Sequence, residues 1–535
     1  MDSSHLLFIT KRLYPFLKHN YDLFIGGVVG FSIFMYICGS NILNPCSGNW
    51  MLATGSDTAN HYILWLYYKN ADWSWPLTLY NTASYPYFNT AMHADIIPLY
   101  AIPCKIFRSL LPSNFHYYGI VLMMNFILQG VFGVFLFRQI TSNQLIKFVG
   151  TLLLTLSPIM VFRMPMHVAL SSHWIIILAL TTFFAKKHFP NLLQWSIVLV
   201  ALFIHPYIWI MSLIIISCNQ IRECMLNKNQ QYQRLFLRML TGAVICVIGL
   251  YLAGFFSVNI DNTAGACTLC NMNLNSFINP TMHQFGQLNK PLPYFNAMQI
   301  EGFAYLGTGT IVMALLLIPN IITYISSRSW WFENRVILYM ACFFFLFSLG
   351  KEITYNDLML CGFNLPACLA GYHSVFRCCG RMIWPVWYLI VISLFIVVNQ
   401  IKAKHFQTSL LLLVSIIQIY DLCYGVNGII NYKWHQFYTL KNTKMGLKNT
   451  SWLDNLIINK SHAFICFPKE EISDNMKVLI YYFAMRNITV NNFGFARSNP
   501  GCACFFSKTM TDLNNNTKAN QYIYVDKEFI RTYIK

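Results

Sequence analysis

Charge is what this chain has least of. Only 10% of its 535 residues are Asp, Glu, Lys or Arg, where a soluble domain carries about 25%. Acidic residues are the scarcest, 19 against 37 basic ones. Such a chain does not read as a water-soluble fold. Hydrophobic residues make up 56% of it, mean hydropathy is +0.47, and apolar runs of about 20 residues, the length that crosses a bilayer, recur along it. Internal repeats and low-complexity tracts are lacking too. The formal charge of +18 does not point to nucleic acid. Nucleic-acid binders gather basic residues on a soluble face, whereas Lys and Arg here punctuate the gaps between apolar runs, as membrane topology requires. Lys11, Arg12 and Lys18 precede the first run, and Tyr21–Leu43 is too long and lacks the small-residue site of a cleavable signal, so it reads as an uncleaved first span.

Eleven spans fit, near 21–43, 116–137, 146–162, 168–185, 190–205, 207–219, 237–257, 300–323, 336–349, 382–400 and 408–425. With the N-terminus cytoplasmic, short cytoplasmic segments hold Arg138, Lys186, Lys187, Arg222, Arg234 and Arg238, while the opposite side spreads fewer basic residues over longer loops. That bias predicts N-in, C-out. One span at 190–219 in place of two would invert everything after it, and His205-Pro206 is the turn that divides them. Asp57, Asp72, Asp95, Asp261, Glu301, Glu352 and Asp357 all fall on the outer side. No charge is placed mid-span, which counts against a proton-driven transporter.

The expected architecture is therefore an all-α polytopic membrane module over 1–425 with a long first outer loop, 44–115. A small soluble α/β domain follows over 426–535, on the outer side. There "SHAFICF", "ITVNNFG" and "QYIYV" read as strands and "NMKVLIYYFAMRN" as a helix. In the first loop "TANHYILWLYYKNADW" reads as an interfacial helix whose Trp65, Tyr67, Tyr68, Trp73 and Trp75 suit the headgroup region. "NTAMHADIIPLYAIPCKIFRSLL" reads as a second interfacial helix or a re-entrant segment broken by Pro98 and Pro103. Of the 17 cysteines, those in apolar runs act as small hydrophobes. Cys267-x-x-Cys270 and the group Cys361, Cys368, Cys378 and Cys379 are free thiols by default, with disulfides as the alternative; neither set has the spacing of a zinc site.

Four stretches carry candidate chemistry. In "TGSDTANH", Asp57 is either a helix N-cap or, with His61 one turn on, a base for a hydroxyl proton. "MHADIIP" adds His93 and Asp95, and two carboxylates in one loop can act as base and partner or hold a divalent cation. In "FRCCGRMIWP", Arg377 and Arg381 are four apart and suit an anion such as a lipid phosphate, or snorkel to headgroups. In "QIEGFAYLGTGT", Glu301 opens a span. His167, His173 and His205 near outer helix ends read as interfacial.

Taken together, "GSDTANHYILWLYYKNADWSWPL", "ADIIPLYAIPCKIFRSLLP", "NSFINP", "EGFAYLG" and "FRCCGRMIWP" resemble an uncharacterised bacterial multi-pass family within or near the C-type glycosyltransferase clan, over nearly the whole chain. The resemblance implies a sugar donor on a polyprenyl phosphate, a glycan or lipid acceptor, membrane lipids as surroundings, and no nucleotide-binding domain. It implies an inverting transfer in which Asp57 is the base, Asp95 a second acidic position, and Arg377 and Arg381 neutralise the leaving phosphate. His61, His93 and Glu301 are carried as substrate-binding candidates. The spacing His93-Ala94-Asp95 departs from the adjacent acidic pair of some clan members, so no metal ligand set is assigned, with a divalent cation as the open cofactor question. The resemblance implies a bacterial inner membrane. A polyprenyl-lipid or glycan transporter and a non-enzymatic envelope-assembly scaffold are the competing functions.

Overall fold

The computed structural model describes residues 3–52, 57–164, 166–226, 232–259, 270–281, 285–364, 377–429, 451–458, 460–465, 474–491, 493, 495 and 522–525. The expected cap residues at 54–56, Asp261, Cys267 and Cys368 lie outside them. The described chain is mostly helical with little sheet. Among the described residues eight helices are long and apolar enough to cross a membrane: Asn20–Cys38, Tyr118–Ile140, Gln144–Arg163, Pro206–Leu226, Tyr232–Leu252, Arg328–Leu349, Cys379–Gln400 and Lys404–Leu422. A ninth results if Thr308–Leu316 and Ile318–Ile325, bent by 61° at their break, are one span. The runs expected at 168–185 and 190–205 are the shorter helices Ala169–Phe184 and Asn191–Leu202. At 1.5 Å of rise per residue both fall short of a hydrocarbon core about 30 Å thick. Pro206 opens its helix, a position where its missing N–H costs nothing, so the 190–219 run is divided there.

Glycine sets how closely the first helices pack. Gly26 and Gly30, four apart, face Gly130 and Phe126 on Tyr118–Ile140. A Cβ on Gly30 would lie 2.0 Å from Phe126 O, and one on Gly130 would lie 2.0 Å from Gly26 O. Backbone therefore touches backbone, the small-residue packing used where lipid tails remove the hydrophobic drive for helix association. Tyr232–Leu252 behaves oppositely. Phe236, Leu237, Leu240, Val244, Val247 and Ile248 are all exposed, and the helix meets the bundle through glycine, with a Cβ on Gly242 only 2.2 Å from the Trp195 ring.

The loop after the first span differs from the interfacial helix expected of it. In Asp57–Asn70, Trp65 and Tyr68 are 0% exposed and Tyr67 is 2% exposed. Their polar tips find protein partners: Trp65 Nε1 donates to Phe115 O at 2.7 Å, and Tyr68 Oη to Leu77 O at 2.7 Å. Protein packs against nearly every face of this helix, so that even Thr58, His61 and Lys69 are buried. Only Trp73 and Trp75 stay exposed. The second expected helix forms as Pro98–Ile106, begun rather than broken by Pro98, with Pro103 inside it.

Part of what buries the aromatic helix is a small unit near the C-terminus. Strand His462–Ile465 lies between Thr489–Val490 and Tyr522–Val525 in a parallel sheet, and helix Asp474–Met485 links the first two strands in sequence. Tyr67 Oη donates to Ile480 O at 3.3 Å. Tyr85 N donates to Val490 O, and Val490 N to Thr82 O, each at 2.9 Å. The Tyr85 ring stacks on His462 with centroids 4.0 Å apart.

Gly130→Val should separate the first two long helices. The expected outcome is a large loss of folded, monodisperse protein in detergent with Gly130→Ala intermediate, checked by fluorescence-detected size-exclusion and thermal melting.

Candidate functional site

Asp95 is the centre of the site. It ends the short turn Ala91–Ala94 in a left-handed conformation (φ 49°), and Ile97 repeats that geometry at φ 59°. A β-branched residue there is a true outlier, held in place by its surroundings. Tyr117 Oη donates to Ile96 O, and Leu99 N donates to Phe203 O at 2.9 Å. The second bond fastens this segment to the turn that carries His205.

Three imidazoles converge on the Asp95 carboxylate. His61 Nε2 lies 3.4 Å and His167 Nδ1 3.5 Å from Oδ2, while His205 Nε2 lies 3.2 Å from Oδ1. The other nitrogen of His167, Nε2, is 3.5 Å from Asp57 Oδ2. The side chain of Asp57 is 59% exposed, whereas that of Asp95 is 16% exposed. Thr58 Oγ1 donates to Met166 O at 3.3 Å, which ties the start of the Asp57–Asn70 helix to the His167 segment. His205 has one tautomer: the Tyr207 backbone N–H donates to its Nδ1 at 3.1 Å, so Nε2 carries the proton and faces Asp95. Burial lowers His61 and His205 below the ordinary imidazole range, with Asp95 opposing it. For Asp95 burial acts upward, but the approach of His205, His167 and His61 outweighs it and holds the carboxyl well below its usual range.

A second buried charge cluster is joined to the first through an aromatic ring. Glu301 Oε2 accepts from Arg163 Nη1 at 2.8 Å and from Arg381 Nε at 2.7 Å, and Glu301 O accepts from Arg163 Nη2 at 2.8 Å. Arg381 lies over the Tyr207 ring at 5.1 Å, and that ring stacks on His205 at 5.6 Å. Two guanidiniums meet one carboxylate, so positive charge is in excess, and the buried Arg163 Nε has no hydrogen-bond partner. Burial acts upward on Glu301, but Arg163 and then Arg381 prevail and keep it ionised. An amide lattice fixes its turn. Gln299 Nε2 donates to Asn271 Oδ1 at 2.9 Å and to Thr354 Oγ1 at 2.7 Å, and its Oε1 accepts from Asn273 at 3.0 Å.

Several expectations change here. Asp57 and His61 lie one turn apart on Asp57–Asn70, and His167 and Asp95 join them into a larger cluster. His93 makes a ring contact with Asn89 Oδ1 at 3.0 Å and packs edge-on against Phe255. Glu301 does not open a span: it sits in the turn Ala297–Gly302, and the helix begins at Thr308 after Gly307 at φ 84°. The second guanidinium on Glu301 comes from Arg163, which was not among the candidate residues. His167 and His205, read as interfacial, are central, while His173 is a core residue bonded to Tyr388 Oη at 3.0 Å. The cysteines among the described residues are free thiols, Cys270 and Cys378 included. The signal for Arg163, His167 and His205 was their shared placement at helix ends on the side of Asp57.

With Glu301→Gln, two buried guanidiniums lose their counter-charge. Removing one member of such a cluster costs about 3–5 kcal/mol, so a marked fall in detergent melting temperature is expected, partly restored by adding Arg381→Met.

Residues 27–423 match the model of a family described as Domain of unknown function (DUF6311). No curated protein and no solved structure matches the chain.

Proposed function

We propose that this chain, which belongs to the DUF6311 family, is a membrane glycosyltransferase that moves a sugar from a polyprenyl-phosphate donor to an envelope glycan or lipid acceptor. The observation that carries the reading is the juxtaposition at one site of the exposed Asp57, the buried Asp95–imidazole cluster and the Arg163–Glu301–Arg381 cluster. In this reading eleven segments cross or enter the membrane, the N-terminus is cytoplasmic, and the site and the C-terminal unit face the outer side of a bacterial inner membrane.

The chemistry needs a base, a cationic leaving-group site and a shaped pocket. Asp57 takes the proton of the acceptor hydroxyl. That oxygen attacks the anomeric carbon from the face opposite the phosphate, the carbon–oxygen bond to phosphate breaks, and polyprenyl phosphate leaves with the bonding pair, so configuration inverts. His167, held between Asp57 and Asp95, orients the base. Arg163 and Arg381 supply positive charge where the phosphate develops its own, the electrostatic contribution that most often dominates such transfers. Their fixed position on Glu301 avoids reorganisation during the reaction. Removing a general base costs about 10²–10⁴-fold in rate.

The test compares envelope glycans by mass spectrometry in cells carrying wild-type protein or Asp57→Asn at matched membrane levels. The expected result is loss of one sugar from one polymer or lipid with Asp57→Asn. Unchanged glycans with Asp57→Asn, in a background where gene deletion alters them, would sink the transferase reading.

A further inference from the structure

We propose that His61, Asp95 and His167 bind a divalent transition-metal cation of the zinc class, with Asp57 and His205 as the residues that orient the ligands. One nitrogen or oxygen from each of the three ligands lies within 4.8 Å of the others. The finer distances point to a cation rather than to hydrogen bonding. An imidazole beside a buried carboxylate ordinarily closes to about 2.7–2.9 Å. Here His61 Nε2 and His167 Nδ1 stand back from the same oxygen, Asp95 Oδ2, at 3.4 and 3.5 Å. Bonds of about 2.05 Å to nitrogen and oxygen in a tetrahedral site place neighbouring ligand atoms about 3.4 Å apart. His167 Nδ1, the ligand atom on that side of Asp95 Oδ2, is buried and has no hydrogen-bond partner.

The surroundings match what a metal requires of its supporting residues. Metal-bound histidines usually give their second N–H to a carboxylate, and bound carboxylates are themselves hydrogen-bonded. His167 turns Nδ1 toward Asp95 and Nε2 toward Asp57. His205, with Nδ1 taken by the Tyr207 N–H, faces Asp95 Oδ1 with its Nε2 proton and leaves Oδ2 for the cation. Two imidazoles and one carboxylate favour zinc-class metals over magnesium or calcium, which prefer all-oxygen sets. Three protein ligands leave a position for water or for an oxygen of phosphate or hydroxyl. The cation site stands on these distances whether or not glycosyl transfer is the reaction.

The experiment uses the full chain, purified in detergent with a tag free of histidine, stripped with chelator and reloaded with Zn²⁺. About one zinc per chain is expected in the wild type and in the surface control His188→Gln, with loss in His61→Ala and in Asp95→Asn. Asp57→Asn should keep the ion with about 10–100-fold weaker affinity. Co²⁺ loading of the wild type provides a second readout that needs no variant to fold: visible d–d bands of a four- or five-coordinate ion and a rise in melting temperature. Absence of stoichiometric zinc and of those bands in the wild type, or zinc retained unchanged in folded His61→Ala, overturns the proposal.

Discussion

The structure turns on keeping carboxylates charged inside protein. A carboxylate moved out of water carries a penalty of several kcal/mol unless well-placed partners replace its hydration. Asp95 and Glu301 both meet this demand, by different means. Glu301 receives two guanidiniums and is held by neighbouring amides. Asp95 collects three imidazoles from segments far apart in sequence, around residues 61, 167 and 205. Those requirements bring the first loop, the end of Gln144–Arg163, the turn before Pro206 and the start of Cys379–Gln400 to one place. The strained backbone at Asp95 and Ile97 is a by-product of that convergence.

Much of the membrane module was legible because hydropathy and length are local properties. Each of the eleven expected segments meets a helix, and the proline before Tyr207 marks a real break. Helix length was less legible, since a run of apolar residues does not reveal where a helix stops inside it. The aromatic helix was misjudged for a related reason. Trp and Tyr suit both a headgroup layer and a protein interior, and only packing partners from Phe115, Leu77 and Ile480 decide between them.

The site was half legible. Asp57, Asp95 and Glu301 stand out because carboxylates are so scarce, His61 because it lies one turn from Asp57, and Arg381 because it lies four residues from Arg377. Arg163, His167 and His205 carried no local motif, and what unites them is proximity in three dimensions. The guanidinium that joins Arg381 on Glu301, that of Arg163, comes from 218 residues earlier in the chain. Pairing by sequence neighbourhood fails where long loops allow distant segments to meet.

The bonds from Tyr67 to Ile480 and from Asn70 to Ala484 span 413 and 414 residues. They give the molecule an order of assembly. During synthesis the loop bearing Asp57, His61 and Asp95 emerges early, but part of the surface that packs its aromatic helix is made more than 400 residues later. Until then the helix exposes Tyr62 and Tyr67, which finally rest against Tyr481 and Ile480. The finished site is thus a late event in biogenesis, and a ribosome stalled before Asp474–Met485 would leave a membrane-inserted chain with its first loop only partly packed.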